Sequence, residues 1–193
     1  DWEYEYNNFG KIALSKEPYK SGGVLKQIQK KYQYNSLGML VYVQNMMDTP
    51  TTTGDDVCDL YSYNLVSGNL LSSCHQNYNG TDAITTSAKY DKNSNQLTST
   101  DGNGVTVTYD YDELDRKVSE SVIVDTVERK DIIDYDLNGN ITRTVDWRGN
   151  SWYYSYDSMN RLYEKEDPYN TVYEKLEYDA RNLQVSSYDA NDK

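Results

Sequence analysis

The fold follows from one stretch of sequence, Tyr109-Asp110-Tyr111-Asp112-Glu113-Leu114-Asp115-Arg116, and from its close repetition at residues 154–162, Tyr-Ser-Tyr-Asp-Ser-Met-Asn-Arg-Leu. In both, two tyrosines separated by one residue are followed by Asp, a turn-forming residue and then an apolar residue. Side chains alternate between the two faces of a strand, so each tyrosine pair shares one face. Two short strands joined by such a turn, with no room for a helix, predict a β-hairpin.

This phrase occurs eight times along the chain, and its last tyrosine recurs every 21 to 29 residues. The repeat tyrosines are Tyr6, Tyr34, Tyr63, Tyr90, Tyr111, Tyr135, Tyr156 and Tyr178. Each is followed by a residue of a type that tolerates positive φ, namely Gly10, Gly38, Gly68, Asn95, Asp115, Gly139, Asn160 and Asn182. Self-similarity at a nearly fixed period is typical of repeat architectures. The sequence therefore predicts tandem hairpins.

An all-β fold is the resulting prediction, with the hairpins forming one continuous curved or spiralling sheet. A single hairpin cannot bury its aromatic face, so each unit must pair with its neighbours. We expect one array over residues 1–193, with longer, looser repeats over 1–100 and regular repeats over 101–193. The extra residues of the first half are predicted to be loop insertions at 15–23, 48–56 and 77–87. Proline lacks the N–H that a ladder needs, so Pro18, Pro50 and Pro168 are predicted to lie between hairpins.

The composition limits the classes of partner. The chain has 19 Lys and Arg against 31 Asp and Glu, a net charge of -12, which argues against nucleic acid as a partner. No run of 18 apolar residues is present, so membrane insertion is not expected. With 21 Tyr and one Phe, the apolar surface is mostly tyrosine, which suits thin sheets. The start at Asp1-Trp2-Glu3, without an initiator Met, indicates a piece of a longer protein.

The repeated phrases closely resemble the tyrosine–aspartate (YD) repeat of the rearrangement-hotspot (RHS) family. The resemblance is strong from Gly102 to Tyr188 and looser before that. The family includes bacterial polymorphic toxins, the B and C subunits of insecticidal toxin complexes, wall-associated protein A and the teneurins. It implies a hollow shell of hairpins, which in the toxins encloses a C-terminal effector. The family's self-cleaving Asp-Pro-x-Gly-Leu phrase is missing, and Asp167-Pro168 matches an ordinary turn instead.

From this resemblance we expect a non-catalytic structural segment of a secreted or cell-surface protein, forming the wall of a shell or a scaffold. The implied partners are the remainder of a larger RHS/YD-repeat chain and an encapsulated effector. A second interpretation is a carbohydrate- or protein-binding module that uses exposed aromatic residues, for which Trp147, Trp152 and Tyr153 are the candidates. The competing explanation of these rings is a ladder of cross-strand aromatic pairs.

The two cysteines, Cys58 and Cys74, lie eight residues either side of Val66, the centre of the third turn. That symmetry places them opposite each other in the hairpin, within the separation that a disulfide allows. The secreted context suggested by the family permits oxidation. A disulfide is therefore predicted, and the alternative is two unrelated buried thiols.

No catalytic residue, metal site or cofactor is expected. Cys74 and His75 are adjacent in a strand and so point to opposite faces, which prevents a catalytic dyad. The segment Asp134–Gly139 fits the first half of a calcium-binding loop, but its twelfth position is Val145 and not Glu. Carboxylates recur at the same phase of every repeat, which a structural turn explains better than an active site. In that role they accept hydrogen bonds from backbone N–H groups two residues on.

Overall fold

A computed structural model of the protein describes residues 2–47, 56–77, 79–169 and 171–189. Every regular element in these residues is a β-strand, and none of them forms a helix long and apolar enough to cross a membrane. The strands are β1 (Glu3–Tyr6), β2 (Ile12–Ser21), β3 (Val24–Tyr34), β4 (Leu40–Met47), β5 (Val57–Tyr63), β6 (Leu70–Asn77), β7 (Ile84–Tyr90), β8 (Gln96–Thr100), β9 (Thr106–Tyr111), β10 (Lys117–Val124), β11 (Val127–Tyr135), β12 (Ile141–Val145), β13 (Ser151–Tyr156), β14 (Leu162–Glu166), β15 (Val172–Tyr178) and β16 (Gln184–Asp189).

Hydrogen-bonded neighbours follow chain order from β1 to β16 in one open antiparallel sheet. The predicted all-β fold of serial hairpins is confirmed. The chain divides into two compact units, Asp1–Thr106 and Val107–Lys193.

In the first unit, the hairpins are longer because the strands themselves extend. Strands β2 and β3 pair continuously from Leu14 with Lys31 to Ser21 with Val24, so residues 15–21 are strand and the predicted loop there is wrong. Pro18 is accordingly inside β2, opposite Gln27. Strand β1 pairs with β2 between Ile12 and Lys16, and Pro18 lies two residues beyond that pairing.

The other two predicted insertions and prolines have different outcomes. Strand β7 begins at Ile84, so the insertion predicted over 77–87 is partly strand. The insertion at 48–56, with Pro50, lies outside the described residues except for Asp56. Pro168 follows β14 in the turn that leads to β15, as predicted.

A β-bulge at the repeat tyrosine is common to all eight hairpins. Each odd-numbered strand ends at its repeat tyrosine, and the pairing register shifts at that point. In the fifth repeat, for example, Tyr111 pairs with Lys117 and Asp110 pairs with Ser119, which leaves Val118 as the extra residue. A bulge bends the strand locally and increases its right-handed twist. The sequence repeat therefore encodes a bent hairpin.

The sheet has almost no buried core. Among the described residues, the buried hydrophobic side chains are Val43 and Cys58. Buried polar side chains are more numerous there, and one of them, Gln44, donates from Nε2 to Asp56 Oδ2 at 2.9 Å. Stability must therefore come mainly from strand pairing and from contacts between neighbouring side chains on the sheet faces.

Candidate functional site: the contacts between successive repeats

Each turn is organised by the Asp or Asn that follows the repeat tyrosine. In the fifth repeat, Asp112 Oδ1 accepts the backbone N–H of Leu114 at 2.9 Å and that of Arg116 at 3.0 Å. The backbone N–H of Asp112 donates to the Arg116 carbonyl, also at 3.0 Å. One carboxylate thus satisfies two backbone donors that the turn would leave unpaired.

The same two hydrogen bonds, donated by the backbone N–H groups two and four residues further along the chain, recur in the turns at both ends of the strands. The acceptors are Asn7, Asn35, Asp91, Asp136, Asp157 and Asp179 in the YD turns, and Asp101, Asp146 and Asp167 in turns between hairpins. The predicted role of these residues in accepting turn N–H groups is confirmed, and the bond from the fourth residue is an addition.

The turn apex is the residue with positive φ. Seven of the eight predicted positions have it, and the fourth repeat is the exception, where Ser94 (φ 72°) takes the place of Asn95. Asn95 instead donates its N–H to Asp91 Oδ1 at 2.9 Å. The register set by Asp91 therefore overrides the intrinsic preference of Asn for positive φ.

These hydrogen bonds favour the ionised carboxylates. The side-chain amide of Asn140 donates to Asp136 and lowers its pKa from the ordinary value, and backbone N–H groups add to the effect. The guanidinium of Arg161 does the same for the pKa of Asp157. In Asp112, the backbone N–H of Arg116 is the main cause of the lowered pKa. Hydrogen bonds to the charged form of an acid have this effect generally.

An arginine links the turn of one repeat to the tyrosine of the next repeat. Arg116 is held by Asp112, whose Oδ2 accepts from its Nε and Nη2, each at 2.7 Å. Its guanidinium carbon lies 4.6 Å from the ring centroid of Tyr135, and Nη1 donates to the Asp136 carbonyl at 3.0 Å. The Tyr135 hydroxyl in turn donates to the carbonyl of Lys117 at 3.0 Å. We call this set of contacts the inter-repeat clamp.

The clamp recurs between other pairs of described repeats. Between the seventh and eighth repeats, Arg161 lies 4.6 Å from the ring of Tyr178, whose hydroxyl donates to the Leu162 carbonyl at 2.7 Å. Between the first and second repeats, Lys11 takes the place of the arginine. It lies 5.1 Å from the ring of Tyr34 and donates to the Gly38 carbonyl.

Between the sixth and seventh repeats, side-chain amides replace the clamp. Asn138 and Asn140 both donate from Nδ2 to Asn160 Oδ1, at 3.1 and 3.0 Å. Asn140 also donates to Asp136 Oδ2 at 2.8 Å. Consecutive YD turns of the second unit are thus tied tip to tip from Asp112 to Asn182.

The clamp residues Lys11, Arg116 and Arg161 are absent from the candidates drawn from sequence. The signal is present nevertheless, because each lies five positions after a repeat tyrosine. A cation four residues after the turn carboxylate is placed to reach both that carboxylate and the next ring, and this could have been recognised.

The predicted disulfide does not form in this structure, where Cys58 and Cys74 are free thiols. Cys58 pairs with Gln76, and Cys74 pairs with Leu60. The turn is not centred on Val66, since Tyr63 pairs with Leu70, and the bulge then adds one further residue, Leu71. Together these two shifts make the cysteines diagonal neighbours. Diagonal positions are about 7–8 Å apart, longer than a disulfide spans.

The three candidate glycan-binding residues do not form one surface. Trp147 is in the turn between β12 and β13 and is 46% exposed. Trp152 contacts Tyr173 edge to face at 5.1 Å, and the ammonium of Lys165 lies 4.4 Å from its ring. Tyr153 follows Trp152 in β13 and so points to the opposite face. Glycan binding by these residues stays a prediction.

The segment resembling a calcium loop is an ordinary YD turn. Both oxygens of Asp136 accept hydrogen bonds from the chain, Oδ1 from backbone N–H groups and Oδ2 from Asn140. No group of three or more His, Cys, Asp or Glu residues suited to a metal occurs in the described part of the chain. His75 Nδ1 lies 2.7 Å from Asp59 Oδ1 across the β5–β6 pair, where the two side chains form a polar cross-strand contact.

Comparison with known proteins agrees with this geometry. The RHS repeat profile matches residues 90–122. The crystal structure of TcdB2-TccC3-Cdc42 superposes with a TM-score of 0.66 at 15% identity, over 95% of this chain and 11% of that one. TcdB2-TccC3 gives a TM-score of 0.65 at 14% identity, over 95% of this chain and 12% of its own. A Tc holotoxin pore of Photorhabdus luminescens gives 0.55 at 16% identity, over 98% and 12%.

No curated protein matches the chain by sequence. The solved structures share its fold, and the chain spans about one-ninth of their length. The fold defines a serial β-hairpin repeat protein. Residues 90–122 match the RHS repeat, and the array of bulged hairpins is similar in fold to these toxin-complex structures.

Proposed function

We propose that the chain is a non-catalytic structural segment of a larger RHS-type protein, where it forms wall of a shell or scaffold. The inter-repeat clamp is the observation that carries this proposal. Its arginine is held by the turn carboxylate of its own repeat and donates to a backbone carbonyl of the next, and the tyrosine hydroxyl of that next repeat donates to a backbone carbonyl of the preceding one. Residues that are used in this way serve to hold a sheet together and are unavailable for turnover.

The bulged hairpin supports a wall that bends. Every repeat has its bulge at the same place, so each adds twist of the same hand at the same edge of the sheet. With almost no buried core in the described residues, the sheet depends on continuation by further repeats. Its outermost strands, β1 and β16, each have a neighbour on one side, and such edges pair readily with additional strands.

The partners under this proposal are the remainder of a larger RHS/YD-repeat chain and an effector enclosed by it, and the place of action is outside the cell. The similar solved structures are toxin complexes whose chains are far longer than this one. That similarity supports a secreted or cell-surface location.

Electron cryomicroscopy of the full-length parent protein tests the proposal. We expect these hairpins in the wall of a hollow shell, with density for a payload inside it. Protease treatment of the intact particle should spare the payload, and opening the shell with denaturant should expose it. A parent protein in which this segment stands apart as a free domain would refute the role.

A binding module is the second candidate, and the exposure of Trp147 favours it. Titration with neutral oligosaccharides, followed by tryptophan fluorescence, would detect it. A signal lost in Trp147→Ala, with the fold intact by circular dichroism, would support carbohydrate binding over a purely structural role.

A further inference from the structure

The six arginines of the chain fall into two groups. Four are paired with carboxylates at 2.6 to 2.9 Å. These four are Arg116, Arg143, Arg161 and Arg181. Arg129 and Arg148 have no carboxylate within ion-pair distance among the residues that the structure describes. This is unexpected in a chain with 31 acidic residues against 19 basic ones.

The guanidinium groups of both arginines lie over the ring of Trp147. The guanidinium carbon of each is 4.7 Å from the centroid of the Trp147 ring. Arg129 comes from β11, whereas Arg148 and Trp147 belong to the turn between β12 and β13. Because the strands are antiparallel, this turn lies at the opposite end of the strands from the YD turns of the same unit.

The arrangement leaves the hydrogen-bonding edges of two guanidinium groups available. A cation over an indole ring is held by the quadrupole of the ring, and neither guanidinium forms an ion pair with a carboxylate of the described residues. Their N–H donors remain free to bind a carboxylate with two parallel bonds. Two positive groups on one ring also repel each other, and an anion bound between them relieves that repulsion.

The kind of ligand is indicated by the covered ring of Trp147 and by the available N–H donors of the two arginines. Two guanidinium groups lie over the Trp147 ring, so a ligand that reaches this ring also meets two positive charges. The N–H donors of these guanidinium groups carry a positive charge that suits carboxylates. A peptide with several acidic side chains offers such carboxylates in a flexible chain that can reach both arginines.

We propose that Arg129 and Arg148, held by Trp147, form a docking site for a carboxylate-rich peptide segment of a partner protein. The site is independent of the clamp, since it shares no residue with it. It gives the structural array a means of recognising another chain at the edge away from the YD turns.

Fluorescence anisotropy with a labelled glutamate-rich peptide tests the proposal on the whole chain. The matched probe is the same peptide with glutamine at every glutamate. We expect saturable binding of the acidic peptide that weakens as salt is added, and no binding of the glutamine peptide. Arg129→Gln and Arg148→Gln should each weaken binding about two- to fivefold, and the double variant should weaken it further.

Arg181→Gln is the matched control, because it removes the same charge from an exposed arginine that is already paired with Asp179. It should bind like the wild type. The proposal is overturned if the wild type does not bind, if the glutamine peptide binds equally well, or if Arg181→Gln loses as much affinity as the other variants. Binding of oligogalacturonate without binding of the peptide would assign the site to acidic glycans instead. Circular dichroism of each variant shows that the fold is retained, so failure here leaves the wall proposal standing.

Discussion

The hydroxyl of Tyr135 donates a hydrogen bond to the backbone carbonyl of Lys117, 3.0 Å away. The two residues belong to adjacent hairpins, and the bond links the end of β11 to the start of β10. Arg116, next to Lys117 in sequence, covers the ring of the same tyrosine. The repeat tyrosine thus holds its own hairpin to the preceding one with both parts of its side chain.

Tyr135→Phe should destabilise the chain by about 1 kcal/mol, because it removes the hydroxyl donor and keeps the ring under Arg116. Chemical denaturation followed by circular dichroism measures the change in the free energy of unfolding. Tyr169→Phe is the control, since Tyr169 is in a turn and 88% exposed. Equal effects of the two substitutions would show that the hydroxyl bond contributes nothing.

The turn apex of the fourth repeat can be tested with glycine. Ser94→Gly should stabilise the chain by about 0.5–1 kcal/mol, because Ser94 has a positive φ that glycine adopts without strain. Asn95→Gly should give no such gain. Gly139→Ala should destabilise by about 1 kcal/mol, since Gly139 has φ of 90°. Thermal unfolding of the three variants ranks them, and a gain from Asn95→Gly would place the apex at Asn95.

The turn carboxylates should make the chain sensitive to acid. The folded-state pKa values of Asp136 and Asp157 are lowered, chiefly by the side chains of Asn140 and Arg161. Their contribution is therefore fully present above the unfolded pKa of about 3.9 and is lost as pH falls through the lower folded value. Unfolding midpoints measured from about pH 5 down to about pH 2 should fall steeply.

Asp136→Asn supplies the control for this pH dependence. The asparagine keeps an oxygen that can accept the two backbone N–H groups, as Asn7 and Asn35 do in their own turns. It has no carboxylate to titrate, so the variant should lose less stability in acid than the wild type. An identical acid profile would mean that Asp136 does not contribute to the transition.

Both cysteines should react as free thiols. Labelling of the unreduced, denatured protein with a maleimide, followed by mass spectrometry, should add two labels per chain, because the register places Cys58 opposite Gln76. If the two cysteines were labelled only after reduction, they would be joined by a disulfide, and this would contradict the observed register.

The bulge at each repeat tyrosine separates the features that sequence predicts from those that it does not. Strand order, the repeat tyrosines and the turn carboxylates follow from sequence spacing, because each is a local pattern of residue types. The off-centre turn and the extra residue Leu71 have no compositional signature, and together they displace Cys74 from Cys58. The place of Pro18 inside β2 was not predicted, because the general preference of proline for positions outside strands does not reveal how far β2 extends. Arg116 and Arg161 are part of the repeated phrase, but their contacts were not predicted because they are made with the next repeat, about 20 residues further along the chain.

A double-mutant cycle between Arg116 and Tyr135 tests the clamp most directly. Arg116→Gln, Tyr135→Leu and the double variant are compared with the wild type by their free energies of unfolding. We expect a coupling of about 0.5–2 kcal/mol, because the two side chains belong to neighbouring repeats and are in contact. Arg116 and Tyr178, which have no contact in this structure, should be additive within about 0.5 kcal/mol. Additivity of Arg116 and Tyr135 would contradict the claim that successive repeats are held together through the repeat tyrosines.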